Sequence, residues 1–158
     1  MNIDIYVDAS LLQKKIGIGL LVLSNGNALL KVSKKLDSKL KISDINNAEL
    51  YAICLAIETC IKASLTNCNI TIYNDNSVAV LAANAKSRFK RCNDSLYDNV
   101  YTLRWDLIED FNNKVSILKI DSKSNHDKAH EIATDAVNCI EYTEGNIFIS
   151  SDNLSKSY

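Results

Sequence analysis

NIDIYVDASLLQKKIGIGLLVLSNGNALLKVSK, running from Asn2 to Lys34, decides the fold. Ile3, Ile5 and Val7 alternate with polar neighbours, the period-two signature of a strand with one buried face, and that strand is read as ending at Asp8. After the polar break SLLQKK, residues Ile16, Ile18, Leu20 and Val22 share one face of a second strand. Gly17 and Gly19 fall on its other face, where missing side chains let something approach the backbone closely. Ser24-Asn25-Gly26-Asn27 is a hairpin turn, because Asn and Gly accept the positive φ that tight hairpins require. ALLKVSK then supplies a third strand, so the opening third of the chain is an antiparallel meander.

Helical spacing takes over downstream. In NNAELYAICLAIETCIKA the apolar positions Leu50, Ile53, Cys54, Ile57 and Ile61 line one stripe of a helix. Asp44 or Asn46 caps its start and Glu49 is expected in its first turn. NITIYND is a short strand that delivers Asp75 at its end, followed by a helix through SVAVLAANA. The basic segment KSRFKR interrupts the pattern before a second helix carrying Leu96, Val100, Leu103, Leu107 and Phe111 on one stripe. VSILKI is another strand. Beyond the loop DSKSN, a last helix aligns Ala129, Ile132, Ala133, Ala136, Val137 and Ile140, and NIFI in the polar tail suits a short strand. The order βββαβααβα implies an α/β fold, a five-stranded mixed sheet of meander plus βα units with helices on both faces. The domain is expected over residues 1–140, with 141–158 as a C-terminal tail.

Composition narrows the class. A chain of 158 residues suits one domain with a real core, and its 47% hydrophobic and 23% charged residues suit a globular protein. No apolar run is long enough to span a bilayer, and MNIDIYVD lacks the basic and apolar segments of an export signal, so the expectation is a cytoplasmic monomer without a membrane partner. The five cysteines, Cys54, Cys60, Cys68, Cys92 and Cys139, are scattered without metal-ligand spacing and read as reduced thiols. A net charge of −1 gives no overall basic field toward a polyanion. The local cluster Lys86, Arg88, Lys90 and Arg91 suits contact with a phosphate backbone, or equally a solvated helix face.

Three acids occupy special places in this order: Asp8 at a strand end, Glu49 at a helix start and Asp75 after the fourth strand. Acids so placed converge at one edge of a sheet, where open sites form. Hard divalent cations take oxygen ligands, and a pair of them stabilises both the attacking and the leaving oxygen in phosphodiester hydrolysis. Singly, each acid is as well explained as a helix cap or a solvated strand end.

The words around these acids carry more. YVDAS with GIGLLV resembles the opening strand pair of type 1 ribonucleases H, and NNAELYAICLAIE resembles that family's first helix. IYNDNSVAV resembles its third motif, an Asp at a strand end before a Ser-bearing helix. NHDKAHEIA resembles the fourth, which opens the C-terminal helix. The resemblance runs from about Asn2 to Asn138 and keeps all four motifs in order. It implies a ribonuclease H-like fold, two Mg²⁺ or Mn²⁺ ions on Asp8, Glu49 and Asp75, and cleavage of the RNA strand of RNA–DNA hybrids. It further implies nucleic-acid contacts at Ser10, Asn46, Asn47, Lys86, Arg88, Lys90 and Arg91.

Two departures stand out. His130 falls where the family carries a fourth acid; an imidazole binds Mn²⁺ in preference to Mg²⁺ more than a carboxylate does, so His130 is expected as a metal ligand of a Mn²⁺-preferring site. Asp135 is the alternative, one and a half turns further on, and His126 is read as a plain loop residue. Before Glu49, Asp44 and Ile45 replace the Thr and Asn with which family members contact substrate, so the resemblance speaks less firmly for RNA–DNA hybrids than for metal. Three readings stay open: a hybrid-cleaving ribonuclease H, a related nuclease of structured DNA or single strands, and a non-catalytic module binding nucleic acid or protein.

Overall fold

A computed structural model describes residues 1–12, 15–36, 44–120, 127–131, 134 and 147–149. Strands β1 (Asn2–Leu12), β2 (Lys15–Ser24) and β3 (Asn27–Leu36) form the meander, followed by α1 (Ile45–Lys62), β4 (Asn69–Asn74), α2 (Ser77–Ala83), α3 (Asp94–Glu109), β5 (Lys114–Lys119) and β6 (Ile147–Ile149). The sheet order is β5-β4-β1-β2-β3-β6. β1 pairs antiparallel with β2 and parallel with β4, which in turn pairs parallel with β5. The five-stranded mixed sheet expected from the sequence is thus present. A sixth strand, from the NIFI stretch of the tail, adds three residues antiparallel to β3.

Register follows from burial. Ile3, Ile5, Val7 and Ala9 of β1 are buried, as are Ile16, Ile18, Leu20 and Val22 of β2 and Ile70 and Ile72 of β4. Slipping β1 by one residue would turn that set outward, and each aliphatic side chain removed from the core costs about 1.5–3 kcal/mol. The β2–β3 turn closes on Asn25 and Gly26, both at positive φ (50° and 84°), which only such residues accept readily. α1 lies across β1, β2 and β4, and α3 packs against α1. Leu50, Ile53 and Ile57 of α1 are fully buried, while Leu96, Val100 and Leu107 of α3 complete the core. Phe111 lies beyond the end of α3, which stops at its C-cap Asp110.

Two expectations are corrected here. β1 does not end at Asp8 but runs to Leu12, because its pairing with β2 continues through Ser10–Gly17, Leu11–Ile16 and Leu12–Lys15. The polar break that marks a strand end in sequence is here the far end of a hairpin arm. Glu49 is not in the first turn of α1. Asp44 caps that helix, its carboxylate accepting from the Asn46 N–H at 2.7 Å, which makes Glu49 the fifth helical residue. Among the described cysteines, Cys54, Cys60, Cys68 and Cys92 are all free thiols, as the scattered spacing implied.

Candidate metal centre

The site is built where β1 outruns β4. Parallel pairing between them ends at Tyr6–Tyr73, while β1 continues along β2, so beyond Tyr6 one edge of the central strand is open, with no strand paired to it among the described residues. Side chains take over that edge. The Asn74 side-chain amide donates to the Val7 carbonyl at 3.1 Å, and the Ala9 N–H donates to Glu49 Oε1 at 2.5 Å. α1 therefore hands Glu49 directly to the strand segment that carries Asp8. Asp75 follows Asn74 in the turn leading to α2. Opposite Asp8 on β2 stands Gly19, which puts no side chain beside the carboxylate.

These elements bring Asp8, Glu49 and Asp75 together, with ligand oxygens all within 4.8 Å of one another. Asp8 and Glu49 are each only 3% exposed, whereas Asp75 is exposed. Burial, and after it the charges of Asp8 and Asp75, push the Glu49 carboxyl up to about 10, against the small opposing effect of the Ala9 hydrogen bond. Without a cation, then, Glu49 holds a proton and shares it with Asp8. Three carboxylates gathered at this spacing, two of them buried, form a donor set that fits hard divalent ions.

His130 touches this cluster from residues 127–131, which are helical. Its Nδ1 lies 2.5 Å from Asp8 Oδ2, while 61% of the side chain stays exposed. It meets the group through Asp8; the mutual cluster itself comprises the three acids. Ala129, beside it, is fully buried, which fixes the face that this turn of helix presents. Asp135 and His126 lie outside the described residues.

The residues expected to contact nucleic acid divide into two sets. Ser10 is half-buried in β1 across from Gly17, and Lys86, Lys90 and Arg91 are exposed. KSRFKR is not a helix, so the solvated-helix alternative does not apply; it is a loop between α2 and α3 with Phe89 packed against the core. Other residues of the expected set are engaged within the fold. The Arg88 guanidinium is 2.7 Å from Asp94, 3.5 Å from Asp98, and 4.1 Å from the centroid of the Tyr97 ring. Asn47 is buried, its amide donating to the Arg91 carbonyl at 2.8 Å and accepting from the Asn93 N–H at 2.9 Å. It therefore fastens the basic loop to the start of α1. Asn46, half-buried, accepts from the Asn76 side chain at 2.9 Å.

Asn74 and Asn76 are site residues that the sequence barely announces. Their one signal there is that Asn74 follows Ile70 and Ile72 on the buried side of β4, where alternation calls for an apolar residue.

A family model described as RNase H matches residues 1–139. No curated protein matches the sequence. Among solved structures, the chain is similar to LC11-RNase H1, isolated from compost by a metagenomic approach, at 19% identity and a TM-score of 0.69, covering 86% of this chain and 95% of that one. RNase H1 from the halophilic archaeon Halobacterium salinarum NRC-1 is similar at 16% identity and a TM-score of 0.67, with coverage of 86% and 97%. LC11-RNase H1 in complex with an RNA/DNA hybrid matches at 20% identity and a TM-score of 0.67, covering 85% and 96%.

Proposed function

The chain belongs to the RNase H family and is a ribonuclease H, and from that premise we propose that it hydrolyses the RNA strand of RNA–DNA hybrids with two divalent ions, Mg²⁺ or Mn²⁺, held by Asp8, Glu49, Asp75 and His130. The observation that carries this reading is the convergence of the three carboxylates within 4.8 Å at the open edge of β1. Asp8, Glu49, Asp75 and His130 would hold the ions, which when bound would supply activation of a water molecule and charge stabilisation for phosphodiester hydrolysis. The chain's own groups do the rest. The Ala9 N–H fixes Glu49 Oε1 in place beside Asp8. His130 meets Asp8 through Nδ1. Lys86, Lys90 and Arg91 offer exposed cations to the substrate phosphates from a loop that Asn47 holds beside α1.

The hybrid as substrate is supported by the fold shared with LC11-RNase H1, which has been captured with an RNA/DNA hybrid. A nuclease acting on structured DNA or on single strands is the alternative. It draws on Asp44, whose carboxylate caps α1 and sets a negative charge where the family resemblance implies a phosphate seat. The deciding experiment compares cleavage of RNA–DNA hybrid, duplex RNA, duplex DNA, DNA junctions and single strands, each in Mg²⁺ and in Mn²⁺. Hybrid cleavage confined to the RNA strand is expected. Cleavage of DNA junctions or single strands alone would replace the substrate, and inertness toward every substrate in both metals would leave only a binding module.

A further inference from the structure

A relay of asparagine hydrogen bonds runs through the floor of the site. Asn46 Oδ1, on α1, accepts from the Asn76 side chain at 2.9 Å. Asn76 Oδ1 caps α2 by accepting from the Ala79 N–H at 2.9 Å. The Asn76 N–H donates to Asn74 Oδ1 at 2.9 Å, and Asn74 Nδ2 donates to the Val7 carbonyl at 3.1 Å. Asn74 has no exposed surface, and its own carbonyl accepts from the Ile120 N–H at 3.0 Å. One buried residue therefore joins β1, the end of β5 and the turn that carries Asp75.

The position of this junction gives it its meaning. The β1–β4 ladder has just ended, so the spacing between Val7 and residue 74 is no longer set by backbone pairing. The Asn74 amide takes the next rung. On one side of the bond, Val7 precedes Asp8; on the other, Asn74 precedes Asp75. Its second bond, to the Asn76 N–H, closes a turn around Asp75 itself. Unlike an aliphatic side chain at the same buried place, an amide fixes both direction and distance, because each of its polar ends has one partner that burial obliges it to keep.

We propose that Asn74 is a positioning residue for the metal centre, holding Asp75 at the distance from Asp8 that divalent-ion binding requires. The inference rests on the reading of Asp8, Glu49 and Asp75 as the ion-binding set, and goes beyond it in assigning the spacing to a residue that touches neither ion nor substrate. Asn74→Ala removes both bonds; Asn74→Ser keeps a shorter polar group and serves if the alanine variant does not fold. Ile72→Val, fully buried on the same strand and away from the amide relay, supplies a control that loosens β4 alone.

The test measures Mn²⁺ affinity by calorimetry without substrate, together with kcat and KM on a hybrid. Removing an outer partner of a metal site typically weakens ion affinity by roughly 10- to 100-fold. That weakening is expected for the Asn74 variants, with kcat reduced at saturating hybrid and KM unchanged, while Ile72→Val keeps wild-type affinity. Unaltered Mn²⁺ affinity and kcat in a folded Asn74 variant would overturn the proposal. So would an equal weakening in Ile72→Val, or failure of both Asn74 variants to fold, since either outcome makes Asn74 a structural residue only. A wild-type protein that binds no Mn²⁺ would instead overturn the underlying metal reading, before any variant is made.

Discussion

Glu49→Gln in metal-free protein offers the sharpest test of the site's electrostatics. The Glu49 carboxyl is pushed up to about 10 in the fold from an ordinary value of 4.5, mainly by burial and then by Asp8 and Asp75. The sign follows from proton linkage. A group whose folded value is raised contributes stability fully below its unfolded value and loses it as pH climbs toward the folded one. Wild-type protein should therefore lose stability steadily between pH 4.5 and about 10 in the presence of chelator. At pH 7 the fold must take up a proton that the unfolded chain has released, at about 1.4 kcal/mol per pH unit, or about 3 kcal/mol in all. Coulomb repulsion between two carboxylates at this spacing, with an effective dielectric of about 20, is also about 3 kcal/mol, so proton uptake is a realistic response to the crowding. Gln keeps the shape and the oxygen that accepts from Ala9 but carries no charge. Glu49→Gln is thus expected to match wild type near pH 4 and to exceed it by about 3 kcal/mol at pH 7, or about 6–12 °C in Tm for a chain of this size. Urea unfolding at pH 4, 6, 7 and 8 with excess chelator measures this. Saturating Mn²⁺ should then reverse the order, because an ion held at about 1,000 times its Kd adds about 4.1 kcal/mol to the protein that binds it. A Gln variant no more stable than wild type at pH 8 in chelator would refute the crowding argument.

Asp8→Asn should keep the circular dichroism of the wild type yet lose more than about 100-fold in hybrid cleavage, since removing even an outer partner of a metal site costs roughly 10- to 100-fold; unchanged turnover would exclude Asp8 from the chemistry. His130→Ala should lose activity in both metals, whereas His130→Asp should raise Mg²⁺-supported cleavage relative to Mn²⁺. Metal titrations of activity that leave the Mg²⁺ to Mn²⁺ ratio at its wild-type value in His130→Asp would remove His130 from the ion-binding set. Removing the charges of Lys90 and Arg91 should lower the slope of log affinity against log salt by about 0.7–0.9 for each phosphate no longer neutralised. Arg88→Ala, by contrast, should leave that slope in place and loosen the 86–93 loop, which limited proteolysis would detect.

Local pattern carries much of this protein. The alternation of Ile3, Ile5 and Val7, the Asn25-Gly26 turn and the spacing of Leu50, Ile53 and Ile57 each report on neighbours a few residues away, and the sheet and α1 follow from them. The convergence of the three acids is legible too, because strand ends and helix starts gather at sheet edges. What alternation cannot reveal is which partner a strand keeps. Sequence alone ends β1 at Asp8, because nothing local says that β2 pairs with it as far as Leu12 while β4 has already left. Polar bonds across long sequence separations are hidden for the same reason. Asn47 reads in sequence as a substrate contact, yet its amide is engaged with residues 44 and 46 positions away. Arg88, in sequence one member of a basic patch, is paired with Asp94 and Asp98, because the chain turns back on itself between α2 and α3.

The open edge of β1 also imposes an order of assembly. Glu49 meets Ala9 across 40 residues of chain, Asn74 meets Val7 across 67, and His130 meets Asp8 across 122. Each longer closure costs only slightly more entropy than the last, about 0.6 kcal/mol per doubling, so the sequence of events on an emerging chain is set by synthesis rather than by loop length. The hairpin of β1 and β2 can form while the remainder is still being made, with half of its central strand waiting for a partner. α1 reaches that strand first and brings one acid; β4 follows with the second and closes the rung at Val7. The histidine arrives after both. A nascent chain therefore carries most of its sheet before it can gather the charges of its centre, and those charges meet only once enough structure exists to hold them together.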